Sequence, residues 1–128
     1  MLTQWSDDIV MVELADDPQV SEDLKAAIEH IASEETRTVP HVVLNMGLVS
    51  YITSSNISQL LRLRKLITDV GRTLRLCSVD ERVYSVLKVA GLDTVFEFSP
   101  DPMTALATIQ IDDGETAGSG SAPGPGSS

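Results

Sequence analysis

The stretch His41-Val42-Val43-Leu44-Asn45-Met46, and after it Val49-Ser50-Tyr51-Ile52-Thr53-Ser54-Ser55-Asn56-Ile57, decides the fold. Its first part follows Pro40 and is apolar almost throughout, at strand length. A strand covered on both faces, as in a parallel sheet, needs that composition. Thr53 to Asn56 are four consecutive residues of the helix-capping type. Behind them Ile57, Leu60, Leu61, Leu63, Leu66, Ile67 and Val70 form a wide apolar stripe. Ser58, Arg62, Lys65 and Asp69 fall on the opposite face, at spacings of four, three and four. The spacing predicts a helix over 55–70, capped by Ser54, Ser55 or Asn56, with Gly71 as its stop.

Helix and strand signals alternate on either side of this unit. Asp8 to Leu14 reads as a short strand, paired with Leu2 to Trp5 through a turn at Ser6-Asp7. Ser21 is positioned as an N-cap, and Glu22 and Asp23 suit the positive end of a helix dipole. Leu24, Ala27, Ile28 and Ile31 then recur at helical spacing, which predicts a helix over 21–34. Thr73 to Val79 is a further strand. Asp80 caps a helix that carries Val83, Val86, Leu87 and Ala90 inward and ends at Gly91. Val95 to Phe98 reads as an edge strand, and Pro100 to Ile109 as the last helix. This order predicts an α/β fold: an open mixed sheet, parallel in its later strands, with about four helices in a single domain.

The domain is expected to span residues 1–111. Residues 112–128, rich in Gly, Ser and Pro and lacking any large apolar side chain, are expected to form a disordered tail, because nothing there offsets the entropy of ordering. The chain has 128 residues, 42% of them hydrophobic and only 4% aromatic, so Leu, Val, Ile and Ala must fill the core. A formal charge of −10 argues against nucleic acid and anionic lipid as partners. The apolar runs are strand-sized, well short of the roughly 18 residues of a membrane span. The first eight residues lack the pattern of a signal peptide. A cytoplasmic protein without membrane insertion is expected.

Catalytic and metal chemistry find little footing. His30 and His41 each stand without a Cys, His or carboxylate at ligand spacing, so structural or surface roles are expected of them. Cys77 lies inside an apolar strand, the usual setting of an inert thiol. The sequence holds no Gly-rich phosphate loop and no nucleophile elbow. No cofactor and no enzymatic activity are therefore expected. What stands out is a run of hydroxyls at a helix start, where backbone N–H groups and the helix dipole tolerate a phosphate.

The quoted stretch resembles the signature of STAS-domain anti-sigma factor antagonists, a strand, then "(F/Y)-(I/M)-D-S-(S/T)-G-(L/I)", then a helix. Leu74 to Val79, Ala90-Gly91-Leu92, Val95-Phe96 and Ala105-Leu106 continue the resemblance in one register over about residues 2–110. It implies a regulatory module without catalytic residues that docks an anti-sigma factor, itself a GHKL-type serine kinase, or another STAS-binding protein. The implied phosphoacceptor is Ser54, with Thr53 and Ser55 as neighbours, and the implied partner-binding residues are Asn56, Ser58, Arg62 and Lys65. Two positions depart from the family pattern: Thr53 stands for the motif Asp and Asn56 for the motif Gly. The first removes a carboxylate placed to orient the acceptor hydroxyl. The alternative is a STAS scaffold that does not switch, such as a stressosome-like subunit or the small partner of a transporter ATPase.

Overall fold

The computed structural model describes residues 2–33 and 39–118, with side chains through Ile111. The order of elements is β1 (Leu2–Ser6), β2 (Ile9–Ala15), α1 (Gln19–Ala32), β3 (His41–Leu48), α2 (Ser54–Thr68), β4 (Leu74–Cys77), α3 (Glu81–Val89), β5 (Glu97–Ser99) and α4 (Pro102–Gly118). The five strands form one sheet in the order β1-β2-β3-β4-β5, so β3 is central. Only β1 runs antiparallel to its neighbour. The mixed sheet and four helices agree with the sequence reading.

Because each crossover steps to the next strand in the same direction, right-handed connections place α1, α2 and α3 on one face of the sheet. Period-2 alternation then divides the core. Val10, Val12 and Leu14, Val42, Leu44 and Met46, and Leu74 and Leu76 face the three helices, and meet Leu24, Ile28, Leu60, Leu63, Ile67, Val83 and Leu87. Ile9, Val43 and Cys77 point the other way, onto Ala105, Leu106 and Ile109 of α4.

Local chemistry sets the boundaries, and several differ from the expectation. Helix α1 starts at Gln19, two residues early, and Ser21 is not its cap; Pro18 is the N-cap and offers no side-chain bond. The carboxylate of Asp17 acts instead, accepting from the Ser21 amide at 3.3 Å and the Ser21 hydroxyl at 2.6 Å. Ser54, Ser55 and Asn56 do not cap α2; Thr53 does. Gly71 and Gly91 adopt left-handed φ values of 79° and close α2 and α3, each passing the next residue's N–H back to a helix carbonyl, Arg72 to Ile67 and Leu92 to Leu87. Val86 and Ala90, expected inside, are exposed, since α3 is only nine residues long and buries Val83 and Leu87 alone. The edge strand is shifted to Glu97–Ser99, because Val95 and Phe96 are drawn into a turn whose N–H groups donate to the Leu92 carbonyl. Helix α4 continues to Gly118, past the expected domain boundary at 111. Residues 119–128 lie outside the described residues, and so does that part of the expected tail.

Candidate functional site

The loop from β3 into α2 lies at the carboxyl ends of the parallel strands, the edge where open α/β sheets place their ligand contacts. A carboxylate from the neighbouring β2–α1 loop holds it. Asp16 accepts the Ser50 amide at 2.7 Å through Oδ1 and the Ser50 hydroxyl at 2.6 Å through Oδ2. The Ser50 hydroxyl, its amide and the Tyr51 amide hold the Asp16 carboxyl below the usual 3.8, with a lesser contribution from the Arg82 guanidinium. The loop thus braced presents Tyr51, 49% exposed, and follows directly on Leu48, the 61% exposed last residue of β3.

The first turn of α2 is secured from beneath. The Thr53 side-chain oxygen accepts the Asn56 amide at 3.2 Å, and the Asn56 carbonyl oxygen accepts the Thr53 amide at 3.0 Å, a reciprocal capping box. Asn56 is fully buried. Its Nδ2 donates to Ser21 Oγ at 3.1 Å and to Gln59 Oε1 at 3.2 Å, while Gln59 Nε2 donates to the Ser21 carbonyl at 3.0 Å. These bonds tie the first turn of α2 to that of α1. The expected partner-binding role of Asn56 is therefore corrected: a side chain with no surface, spent on these bonds, cannot touch a partner.

The other expected site residues face outward. Ser54 and Ser55 occupy the first two helical positions with exposed hydroxyls that no other described residue engages. Ser58 and Arg62 are exposed one and two turns on, and among the described residues Arg62 has no ion-pair partner. Lys65 is exposed and bonds Asp69 at 3.1 Å, an i,i+4 surface pair that water screens. Leu61, counted in the apolar stripe, is 37% exposed, because α2 buries Leu60, Leu63 and Ile67 and leaves its neighbour at the margin. The exposed side of α2 thus runs from two hydroxyls at its start, through Ser58 and Arg62, to the Lys65–Asp69 pair in its last turn, and the loop before it exposes Tyr51. The sequence reading missed Asp16, Ser21 as a tether, and Gln59. Gln59 had a signal, since it stands three residues after Asn56 on the same helix face; the bond from Asp16 to Ser50 spans 34 positions and had none.

Elsewhere the titratable groups serve the fold. The His41 ring is buried, and its Nδ1 accepts the Thr73 amide at 3.0 Å. Burial pushes the Cys77 thiol up to about 11, so it is protonated at neutral pH. Among the described residues no group of three or more His, Cys, Asp or Glu could hold a metal ion. No described helix is long and apolar enough to cross a membrane.

The family model for the STAS domain matches residues 7–105. Solved structures with the same fold include an anti-sigma-factor antagonist (STAS) domain protein from Planctomyces limnophilus, at 19% identity and a TM-score of 0.72 over 86% of this chain and 97% of that one. The anti-sigma factor antagonist SpoIIAA in its unphosphorylated form aligns at 16% identity and a TM-score of 0.68, over 88% and 96%. A chain of the stressosome, a signal integration and transduction hub, aligns at 15% and 0.68, over 88% and 98%.

Proposed function

The chain belongs to the STAS domain family, and from that premise we propose that it is a regulatory binding module, an anti-sigma factor antagonist. On this reading it docks an anti-sigma factor of the GHKL serine-kinase type through the start of α2 and is released when Ser54 is phosphorylated. The module itself contributes no catalysis. The observation that carries the reading is the exposed, unengaged Ser54 hydroxyl at the first position of α2, amid the exposed Leu48, Tyr51, Ser58 and Arg62.

Phosphoryl transfer forms a bond from Ser54 Oγ to the γ-phosphorus of ATP and breaks the bridge to ADP. The Ser54 proton needs a base. Thr53, which replaces the motif Asp, supplies no carboxylate, and its oxygen already accepts the Asn56 amide. The base therefore has to come from the kinase. The helix dipole favours the phosphate locally, but about 1.5 to 2 added negative charges on a docking surface remove the partner. An unpaired charge at an interface costs about 2–5 kcal/mol. In a pull-down from the cells that make this protein, Ser54→Ala is expected to retain a serine-kinase anti-sigma factor and Ser54→Asp to lose it. Equal capture by both sinks the switch.

A scaffold that never switches is the second reading, favoured by the capping box itself: its two residues, Thr53 and Asn56, are the two that depart from the family pattern. Incubation with the captured kinase and ATP, followed by phosphosite mapping, separates the two. If phosphate reaches neither the wild type nor Thr53→Asp, Ser54 is only a residue of the helix start, and the scaffold reading takes over.

A further inference from the structure

The two faces of the sheet are covered unequally. Three helices lie on one face, and α4 alone lies on the other, packed against β3, β4 and β5. Five strands at about 4.8 Å make a sheet about 24 Å wide, whereas one helix covers about 10 Å. Helix α4 also reaches Ile9 at the start of β2, so the room left for a further helix lies over β1 and the Met11–Glu13 end of β2. A groove of about 280 Å³ lies there, lined by Thr3, Trp5, Met11, Glu13, Asn45 and Pro102.

The uncovered helix surface on this side is apolar as well. Ala105, Leu106 and Ile109 of α4 are buried against its own sheet, while Met103, Ala107 and Ile111 are exposed at i, i+4, i+8 spacing on the opposite side. Met103 is 66% and Ile111 59% exposed. From Pro102 to Ile111 the helix has no charged side chain, and neither has β1, in a chain where 22% of residues are charged. A helix whose outer side faced only water would ordinarily carry charge there.

We propose that this face is a self-association surface, on which α4 of a second copy lies over β1 and the open Met11–Glu13 end of β2. By two-fold symmetry each α4 is then held between its own sheet, through Ala105, Leu106 and Ile109, and its partner's, through Met103, Ala107 and Ile111. Two helices side by side span about 20 Å, which matches the width of the sheet. The occupant is a second copy for two reasons. The one exposed stripe of helical shape on this face is α4's own, and a contact between two molecules of charge −10 needs a surface free of charge. Glu13 is the one carboxylate lining the groove, and acidic residues resume only at Asp112, where the uncharged stretch of α4 ends. The surface lies across the sheet from Ser54, so the dimer does not depend on the docking proposal.

Sedimentation velocity on the full chain from about 1 to 100 μM, at moderate salt, tests it. The expected result is a concentration-dependent dimer, accompanied by a blue shift in the emission of Trp5, the chain's single tryptophan and 43% exposed in one copy. Ala107→Glu is expected to give a monomer with an unchanged melting temperature, and Met103→Lys the same. Val89→Glu, on α3 across the sheet, is expected to leave the dimer intact. A monomer at every concentration overturns the proposal; so does association that survives Ala107→Glu or leaves Trp5 emission unmoved.

Discussion

Helices α2 and α3 start alike in sequence and differently in space. Each follows a parallel strand, and each opens on a residue whose side-chain oxygen accepts a backbone N–H, Thr53 from Asn56 and Asp80 from Arg82. At α3 the cap stays at the surface: Asp80 also holds the exposed Arg82 guanidinium, with Nε 3.1 Å from Oδ1, and goes no further. At α2 the third helical residue is the buried Asn56, which passes the cap's bonds on to Ser21 and Gln59. A helix cap that ends in solvent fixes one helix. A cap continued through a buried amide fixes two helices to each other, and with them the surface they share.

Changes at the two caps should therefore differ in size. Asn56→Ala has the largest expected effect, because it strips partners from the Thr53 amide and from Ser21 and leaves a cavity where the amide sat. Unmet buried polar groups cost about 1–3 kcal/mol each, so a loss near 3 kcal/mol and a fall of about 15 °C in melting temperature are expected. A fall no greater than that of an ordinary cap would reduce α2 to the level of α3. Thr53→Ala should cost about 1 kcal/mol, roughly 5 °C, and Asp80→Ala visibly less, since water replaces its bonds. Paired thermal melts decide the order, and reversal of these two would break the comparison.

The smallest effect concerns acid and the brace beneath the loop. Asp16 titrates below its ordinary value because the ionised form holds Ser50. Its contribution is complete above that ordinary value and disappears as pH falls through the lower, folded one. The protection of the Ser50 and Tyr51 amides, relative to their intrinsic exchange rates at each pH, is expected to fall in the wild type as pH drops below the ordinary carboxylate value of 3.8. In Asp16→Asn that protection should already be low at neutral pH and change less. Equal profiles would mean that the loop keeps its shape without Asp16.

The extent to which the sequence foretold all this follows from how far each interaction reaches. The central strand, the stripe of α2 and its Gly71 stop were legible, since periodicity of 2.0 or 3.6 and a left-handed glycine are properties of a few adjacent residues. Ser58, Arg62 and Lys65 were placed on the exposed side by the same periodicity, and Ser54 at the helix start by the run of capping-type residues. Asn56 was misjudged because exposure depends on which helix lies alongside, and α1 is 35 positions away in the chain. Ser21 was misread for a related reason: a serine before an acidic pair satisfies the cap pattern, but Asp17, four residues earlier, had already taken that task. Val86 was placed inside because an apolar residue next to Leu87 fits a stripe, yet a helix of nine residues has too little buried face for both.

The Arg75 side chain, which projects from β4 on the α4 side, holds the last strand. Its Nη1 donates to Glu97 at 2.7 Å, its Nε to Ser99 Oγ at 2.9 Å and its Nη2 to the Phe98 carbonyl at 3.2 Å, so one guanidinium touches every residue of β5. A sheet edge with free backbone groups invites strand addition from other chains, and proteins blunt such edges with short strands, charge and proline. Here the edge is three residues long, carries a charge-paired Glu97 and runs into Pro100 and Pro102. Arg75 is thus the latch of an aggregation guard. Replacing it with an apolar residue would leave a loosely held strand able to peel away and expose the backbone of β4 as a template.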